Sequence, residues 1–214
     1  LKTGAKVAIG ERIREVQKIF RPVFNAIDVS GDGSEFDLLM KDGDRFQIGG
    51  LIGEVIATPG CESNVKEIYD KCWEIRRTRP DCVIFNQFEE FGNAAWHYNV
   101  TGKTIDEIFG WIGGGSRLSG YVSATGSAGT IAAGDYLRTV HPHIRVVATE
   151  ALQCPTLYQL GFGGHRIEGI GDKHVPWIHN VKNTDMVIDI DDEDSQKLLR
   201  LFNDPVGQKY LIEQ

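Results

Sequence analysis

The chain has 214 residues, 41% of them apolar and 9% aromatic, enough to bury a core in one or two domains and too apolar for a disordered segment. Thirty Asp and Glu against 23 Lys and Arg leave a net charge of −7, which argues against gripping a nucleic-acid backbone and for a small-molecule partner. No apolar run can span a bilayer and no basic-then-apolar leader opens the chain, so a cytoplasmic protein with no membrane partner is expected.

The first residue is Leu rather than Met, so an internal fragment or a processed chain is expected. Residues 11–27 carry Ile13, Val16, Ile19, Phe20, Phe24 and Ile27 mostly on one helical face, with Pro22 as an interruption. Asp28, Ser30 and Asp32 follow at the first ligand spacings of a calcium loop, with Gly33 at the turn. Leu39, however, stands where the bidentate Glu belongs. A turn from helix to strand is therefore the reading adopted, and no metal ligands are assigned.

From Gly53 onward strands and helices alternate. A strand over 54–58 ends at Pro59-Gly60, and a helix over 63–77 is capped by Ser63 or Asn64. Residues 82–85 read as a strand and 93–110 as a helix interrupted near Thr101-Gly102. The later elements are a strand over 144–148, a strand over 185–190 and a helix over 194–203. Such alternation predicts an α/β fold, three-layered and doubly wound around a mostly parallel sheet. The Gly-rich stretch after Glu150, with Gly161, Gly163, Gly164, Gly169 and Gly171, is too long for a passive connection and is expected to line the site.

The stretch 121–138 is the most informative. It reads as a buried strand, a turn of tiny residues, and a helix bearing Ile131, Tyr136 and Leu137. Ser123, Thr125, Ser127 and Thr130 supply hydroxyls, while Gly126 and Gly129 let the backbone approach a ligand. The first amides of a helix lack partners within it and carry the positive end of its dipole, so the turn offers a donor cup to a phosphate. Close packing alone also selects small residues at such turns. Neither Gly-x-x-x-x-Gly-Lys-Ser/Thr nor Gly-x-Gly-x-x-Gly is present. Ligands of parallel sheets collect beyond the strand carboxyl ends, where Gly126, Gln87-Phe88 and Glu150 converge.

Cys61, Cys72, Cys82 and Cys154 are widely spaced and are read as reduced, buried thiols rather than metal ligands. His141 and His143 are expected in a solvated loop; His97, His165, His174 and His179 are too dispersed for a metal triad.

Several segments in order resemble the fold-type II pyridoxal-phosphate enzymes, closest to the cysteine synthase and cystathionine β-synthase branch, over residues 51–190. They are Gly53-Glu-Val-Ile-Ala-Thr-Pro-Gly60, Phe85-Asn-Gln-Phe88 with Asn93, His97 and Thr101-Gly102, and Val122-Ser-Ala-Thr-Gly-Ser-Ala-Gly-Thr-Ile131. Val147-Ala-Thr-Glu150, Cys154-Pro155 and His165-Arg-Ile-Glu-Gly-Ile-Gly171 complete the set. The resemblance implies that Gly126, Ser127, Ala128, Gly129 and Thr130 hold the cofactor phosphate. It further implies that Gln87 and Phe88 seat the substrate carboxylate and that Gly169 passes the cofactor ring. The implied cofactor is pyridoxal 5′-phosphate, the implied partners a small amino acid and a second copy in a homodimer. Ala128 replaces a glycine of the commoner loop and cannot adopt positive φ cheaply.

The family's covalent cofactor lysine is not found. Lys41-Asp42-Gly43-Asp44-Arg45 echoes its motif but lacks the Ser and stands too close to Gly53. No catalytic residue is assigned, and residues 1–50 are read as a poorly matched helix and turn region ahead of a 51–214 enzyme-like region. The expectation is the central part of an enzyme for β-elimination or β-replacement on a small amino acid, its lysine lying elsewhere or on a partner segment. The alternative is a noncatalytic phosphate-binding or regulatory protein on the same scaffold.

Overall fold

A computed structural model of the chain describes residues 4–58, 65–161, 163–167 and 169–213. Two compact units emerge, residues 1–58 with 193–214, and residues 59–192. The expected division after residue 50 falls inside the first unit.

In the first unit β1 (Ala8–Gly10) and β2 (Leu38–Met40) pair in parallel across α1 (Ile13–Val23), which holds Pro22 in its last turn. β3 (Arg45–Ile48) and β4 (Leu51–Glu54) form an antiparallel hairpin with Ile48 opposite Leu51. The two-residue link Gly49-Gly50, with Gly49 at φ +58°, suits such a turn. The strand expected over 54–58 is thereby displaced: Glu54 ends β4, where its carboxylate meets Arg45 at 3.0 Å, and residues 55–58 are not a strand. In the loop 28–35, Asp32 accepts the Ser30 hydroxyl at 2.6 Å and the Ser34 amide at 2.9 Å. Glu35 accepts the Ser30 amide and the Gln17 side chain. These donors hold both carboxyls down at about 2, so the loop is tied by its own hydrogen bonds. The C-terminal helices are α7 (Asp192–Asn203) and α8 (Pro205–Glu213).

The second unit is built on three parallel strands, β5 (Gly120–Ala124), β6 (Arg145–Ala151) and β7 (Met186–Ile190), with β6 in the middle. Register places Tyr121 opposite Val146 and Val147 opposite Met186. α2 (Val65–Thr78) precedes a helical run made of α3 (Phe91–Trp96), a π-helical stretch His97–Gly102 and α4 (Lys103–Ile112). The caps expected at Ser63 or Asn64, and Cys61, lie outside the described residues. α5 (Ile131–Val140) crosses from β5 to β6. Ile131, Ala133 and Leu137 of α5 are buried, as are Ile144, Val146 and Ala148 leading into and along β6, a continuous apolar face that removes area from water at about 25 cal/mol per Å². Gly134 is required by this contact, because a Cβ there would lie 2.9 Å from Val146 Cγ1 and 3.0 Å from Tyr121 Cδ1.

One expected strand does not form. Residues 82–86 are neither strand nor helix; the Cys82 amide donates to the Arg79 carbonyl and the Asn86 amide to the Ile84 carbonyl. Val83 and Phe85 are 80% and 83% exposed. An apolar run becomes a strand only where a neighbour takes its backbone groups, and none does so among the described residues. The architecture is α/β with parallel strands, a partial form of the three-layer doubly wound fold.

Candidate functional site

The cup begins where β5 ends. The Thr125 amide continues the ladder to the Thr149 carbonyl at 3.0 Å, and the chain then turns through Gly126, Ser127, Ala128 and Gly129 into α5. The Ile131, Ala132 and Ala133 amides return to the carbonyls of Ala128, Gly129 and Thr130. Among the described residues the amides of Gly126 to Thr130 donate to no acceptor, so five N–H groups stand at the start of a ten-residue helix, the arrangement that binds an anion. The Thr125 hydroxyl in the same turn is buried and has no partner among the described residues.

The turn is held from three sides. The Tyr121 hydroxyl donates to the Thr130 carbonyl at 3.0 Å, and the Ser123 and Thr130 hydroxyls meet at 2.6 Å. A Cβ on Gly126 would lie 2.2 Å from the Gly169 carbonyl, so the Gly-rich segment lies directly on the cup, and Gly169 itself has φ +83°. Ala128 sits at φ +64°, the conformation the sequence marks as costly for a residue with a Cβ. It is buried with Ile131, Ala148 and Ile178, and this packing holds the strained geometry.

Behind the cup lies a cavity of about 10 Å³ lined by Thr125, Gly126, Glu150, Thr156, Asp172, His174 and His179, room for a single water. Glu150 is 1% exposed. Its carboxylate accepts the Leu157 amide at 2.8 Å and the Tyr158 amide at 2.9 Å, serving the orphan donors of the short α6 (Thr156–Gln159). Burial, and to a lesser degree Asp189 on the paired strand, raises its pKa despite those amides. Burial likewise lowers the pKa of His174 and of His179, favouring the neutral form of each imidazole.

Phe88 is buried against Tyr69 with ring centroids 6.2 Å apart, and Tyr69 meets His174 edge-on at 4.7 Å. Gln87 is exposed, and its carbonyl accepts the Asn93 side-chain amide at 3.0 Å; the same amide reaches Ser127 Oγ at 3.1 Å. The structure thus joins the Gln87-Phe88 turn to the cup through Asn93, a link that only the shape of the folded loops reveals. His141 departs from the expected solvated loop: its Nε2 lies 2.7 Å from Asp106, because α4 and α5 pack side by side. His143 meets the Leu118 carbonyl at 3.1 Å. Cys72, Cys82 and Cys154 are free thiols, the first and last buried. No helix among the described residues is long and apolar enough to cross a membrane.

No family model matches the chain. Individual proteins do, in two groups. A probable cysteine synthase of Bacillus subtilis is 30% identical over 148 residues, 69% of this chain and 47% of that protein. A beta-lactamase hydrolase-like protein of Agrobacterium fabrum is 48% identical over 59 residues, 28% of this chain and 14% of that protein. The two matched lengths together fit within the chain. Among solved structures, cysteine synthase of Entamoeba histolytica is similar at a TM-score of 0.56 and 26% identity, over 70% of this chain and 43% of its own. The O-acetylserine dependent cystathionine beta-synthase of Helicobacter pylori shares the fold at a TM-score of 0.59 and 24% identity, over 92% of this chain and 54% of its own. The chain therefore spans about half the length of the cysteine synthases it matches.

Proposed function

The chain resembles the central portion of the fold-type II pyridoxal-phosphate enzymes of the cysteine synthase and cystathionine β-synthase branch, and from that premise we propose that its second unit is the cofactor-phosphate half of such an enzyme's active site. The observation that carries this reading is the run of five amides from Gly126 to Thr130 at the start of α5 that meet no acceptor among the described residues. They fit a phosphate dianion without a neighbouring cation, because the helix end supplies partial positive charge and directed donors together. The buried Thr125 hydroxyl adds a further donor.

Pyridoxal 5′-phosphate, the cofactor of this family, supplies when bound an electron sink for charge developing at the α-carbon of an amino acid. Gly126, Ser127, Ala128, Gly129 and Thr130 grip its phosphate. Gly169 keeps the backbone close where its ring passes, and Gln87 with Phe88 orients the substrate carboxylate. β-Elimination or β-replacement on a small amino acid is the reaction this arrangement serves, in a homodimeric parent enzyme. The lysine that would move the α-proton lies elsewhere or on a partner segment, since no lysine of this chain stands in the family's motif. The noncatalytic alternative uses the same cup without that lysine.

A second reading concerns the first unit. The 58- and 59-residue matches to hydrolase-like proteins and to glyoxylase B2 of Dictyostelium discoideum, at 48% and 49% identity, have the length of residues 1–58. We infer that this segment is a separate, hydrolase-like module and that residues 53–58 belong to it. The β3–β4 hairpin within the first unit supports that assignment.

Gly126→Val tests the cup. The added Cβ meets the Gly169 carbonyl at 2.2 Å, so phosphate-dependent binding of pyridoxal phosphate, followed by absorbance titration, is expected to weaken by at least about tenfold. Unchanged affinity in a folded variant would overturn the assignment.

A further inference from the structure

We propose that Asn93 is a positioning residue that aims the Ser127 hydroxyl at the bound phosphate and ties the phosphate cup to the Gln87-Phe88 turn. The inference rests on the phosphate-cup reading and adds a residue that the cup itself does not contain.

The orientation of the Asn93 amide follows from its partners. Its terminal nitrogen lies 3.0 Å from the Gln87 carbonyl oxygen, an atom that can only accept, so the NH₂ end must face it. The second N–H of that group points to Ser127 Oγ at 3.1 Å. A serine oxygen that accepts this bond still has its single proton to donate, and no other side-chain partner of Ser127 exists among the described residues. The proton is thus left for a ligand in the cup. Asn93 gives one donor to each of two loops, and the second of these bonds fixes the rotor of the Ser127 hydroxyl.

Two further features make the link rigid. Asn93 is the third residue of α3, its own amide bonded to the Glu90 carbonyl at 3.2 Å, and the helical run continues through residues 97–112. The amide also lies flat on Gly129, where a Cβ would come within 2.2 Å of Asn93 Oδ1. Glycine at 129 is thus demanded by the asparagine as much as by the ligand. A shift of the Gln87-Phe88 turn is passed through one planar group to Ser127 and Gly129, so phosphate binding and the carboxylate seat are mechanically joined.

The test is a double-mutant cycle on the full 214-residue chain, with Asn93→Ala, Ser127→Ala and the pair, read by titration with pyridoxal phosphate and by the ³¹P shift of the bound phosphate. Each single variant is expected to weaken binding about tenfold, the scale of one hydrogen bond to a charged group. The pair should bind no worse than Ser127→Ala alone, because Asn93 acts through that hydroxyl. Asn93→Asp, of nearly the same shape but without donors, should weaken binding at least as much and guards against a variant that merely loosens α3. A thermal midpoint lowered equally in all variants, with additive losses of affinity, would overturn the proposal by showing a purely structural role. Wild-type chain that binds pyridoxal phosphate no better than pyridoxal would overturn the phosphate-cup reading itself, and this inference with it.

Discussion

Glu150 is the residue whose burden is most visible. Its carboxyl is 1% exposed, shares the sheet with Asp189 as its register partner, and faces a cavity with Asp172, His174 and His179. Burial raises its pKa above the ordinary carboxylate value, so between the ordinary and the raised value the folded chain holds a proton that the unfolded chain releases. The resulting stability is complete below the unfolded pKa and is lost as pH climbs through the folded one. Glu150→Gln keeps an oxygen for the Leu157 and Tyr158 amides and removes the titration. The expected result is a thermal midpoint for the wild type that falls from acid toward neutral pH and a flatter profile for the variant. Parallel profiles would assign the dependence to another group. The sequence reading put Glu150 beyond a strand over 144–148, whereas β6 runs on through Ala151 and holds Glu150 in the ladder; that it would be sealed beneath α6 was not legible, since sealing depends on where the chain after β6 folds back.

At the scale of elements, the strand-turn-helix 120–140 was legible because local signals agree: a short apolar strand, tiny residues at the bend, then helical spacing. The strand expected over 82–85 shows the limit. Its apolar pattern is real, but pairing is a property of the neighbour, and Val83 and Phe85 remain exposed. The interruption expected near Thr101-Gly102 is a widened helical turn, His97–Gly102, rather than a break. Its cause is a close approach of helices: a Cβ on Gly102 would lie 2.8 Å from Tyr136 Cβ and 3.0 Å from the Ala133 carbonyl of α5. Gly102→Ala should therefore destabilise the chain by about 1–3 kcal/mol, the cost of overpacking, despite alanine's better helix propensity. A denaturation midpoint shifted upward would show that the helices can part at no cost.

For the whole molecule, the resemblance to the enzyme family lies in ordered segments of residues 51–190, and the strand and helix on either side of the Gly126–Thr130 turn form in the second unit. The boundary near Gly53 was harder to read. Gly53 lies inside β4, and the pairing of Leu51–Glu54 with Arg45–Ile48 places the start of the family-like segment in the first unit. About half of the relatives' length is matched, and the central proposal is that the chain holds a phosphate-bearing cofactor through backbone amides and not through a lysine of its own. The measurement that tests this is a titration of the full chain with pyridoxal phosphate and with pyridoxal, followed by borohydride treatment and intact mass. Binding is expected to depend on the phosphate and to be competed by inorganic phosphate, with no stoichiometric adduct at one lysine. Equal binding of pyridoxal, or a single lysine fixed in stoichiometric yield, would contradict it.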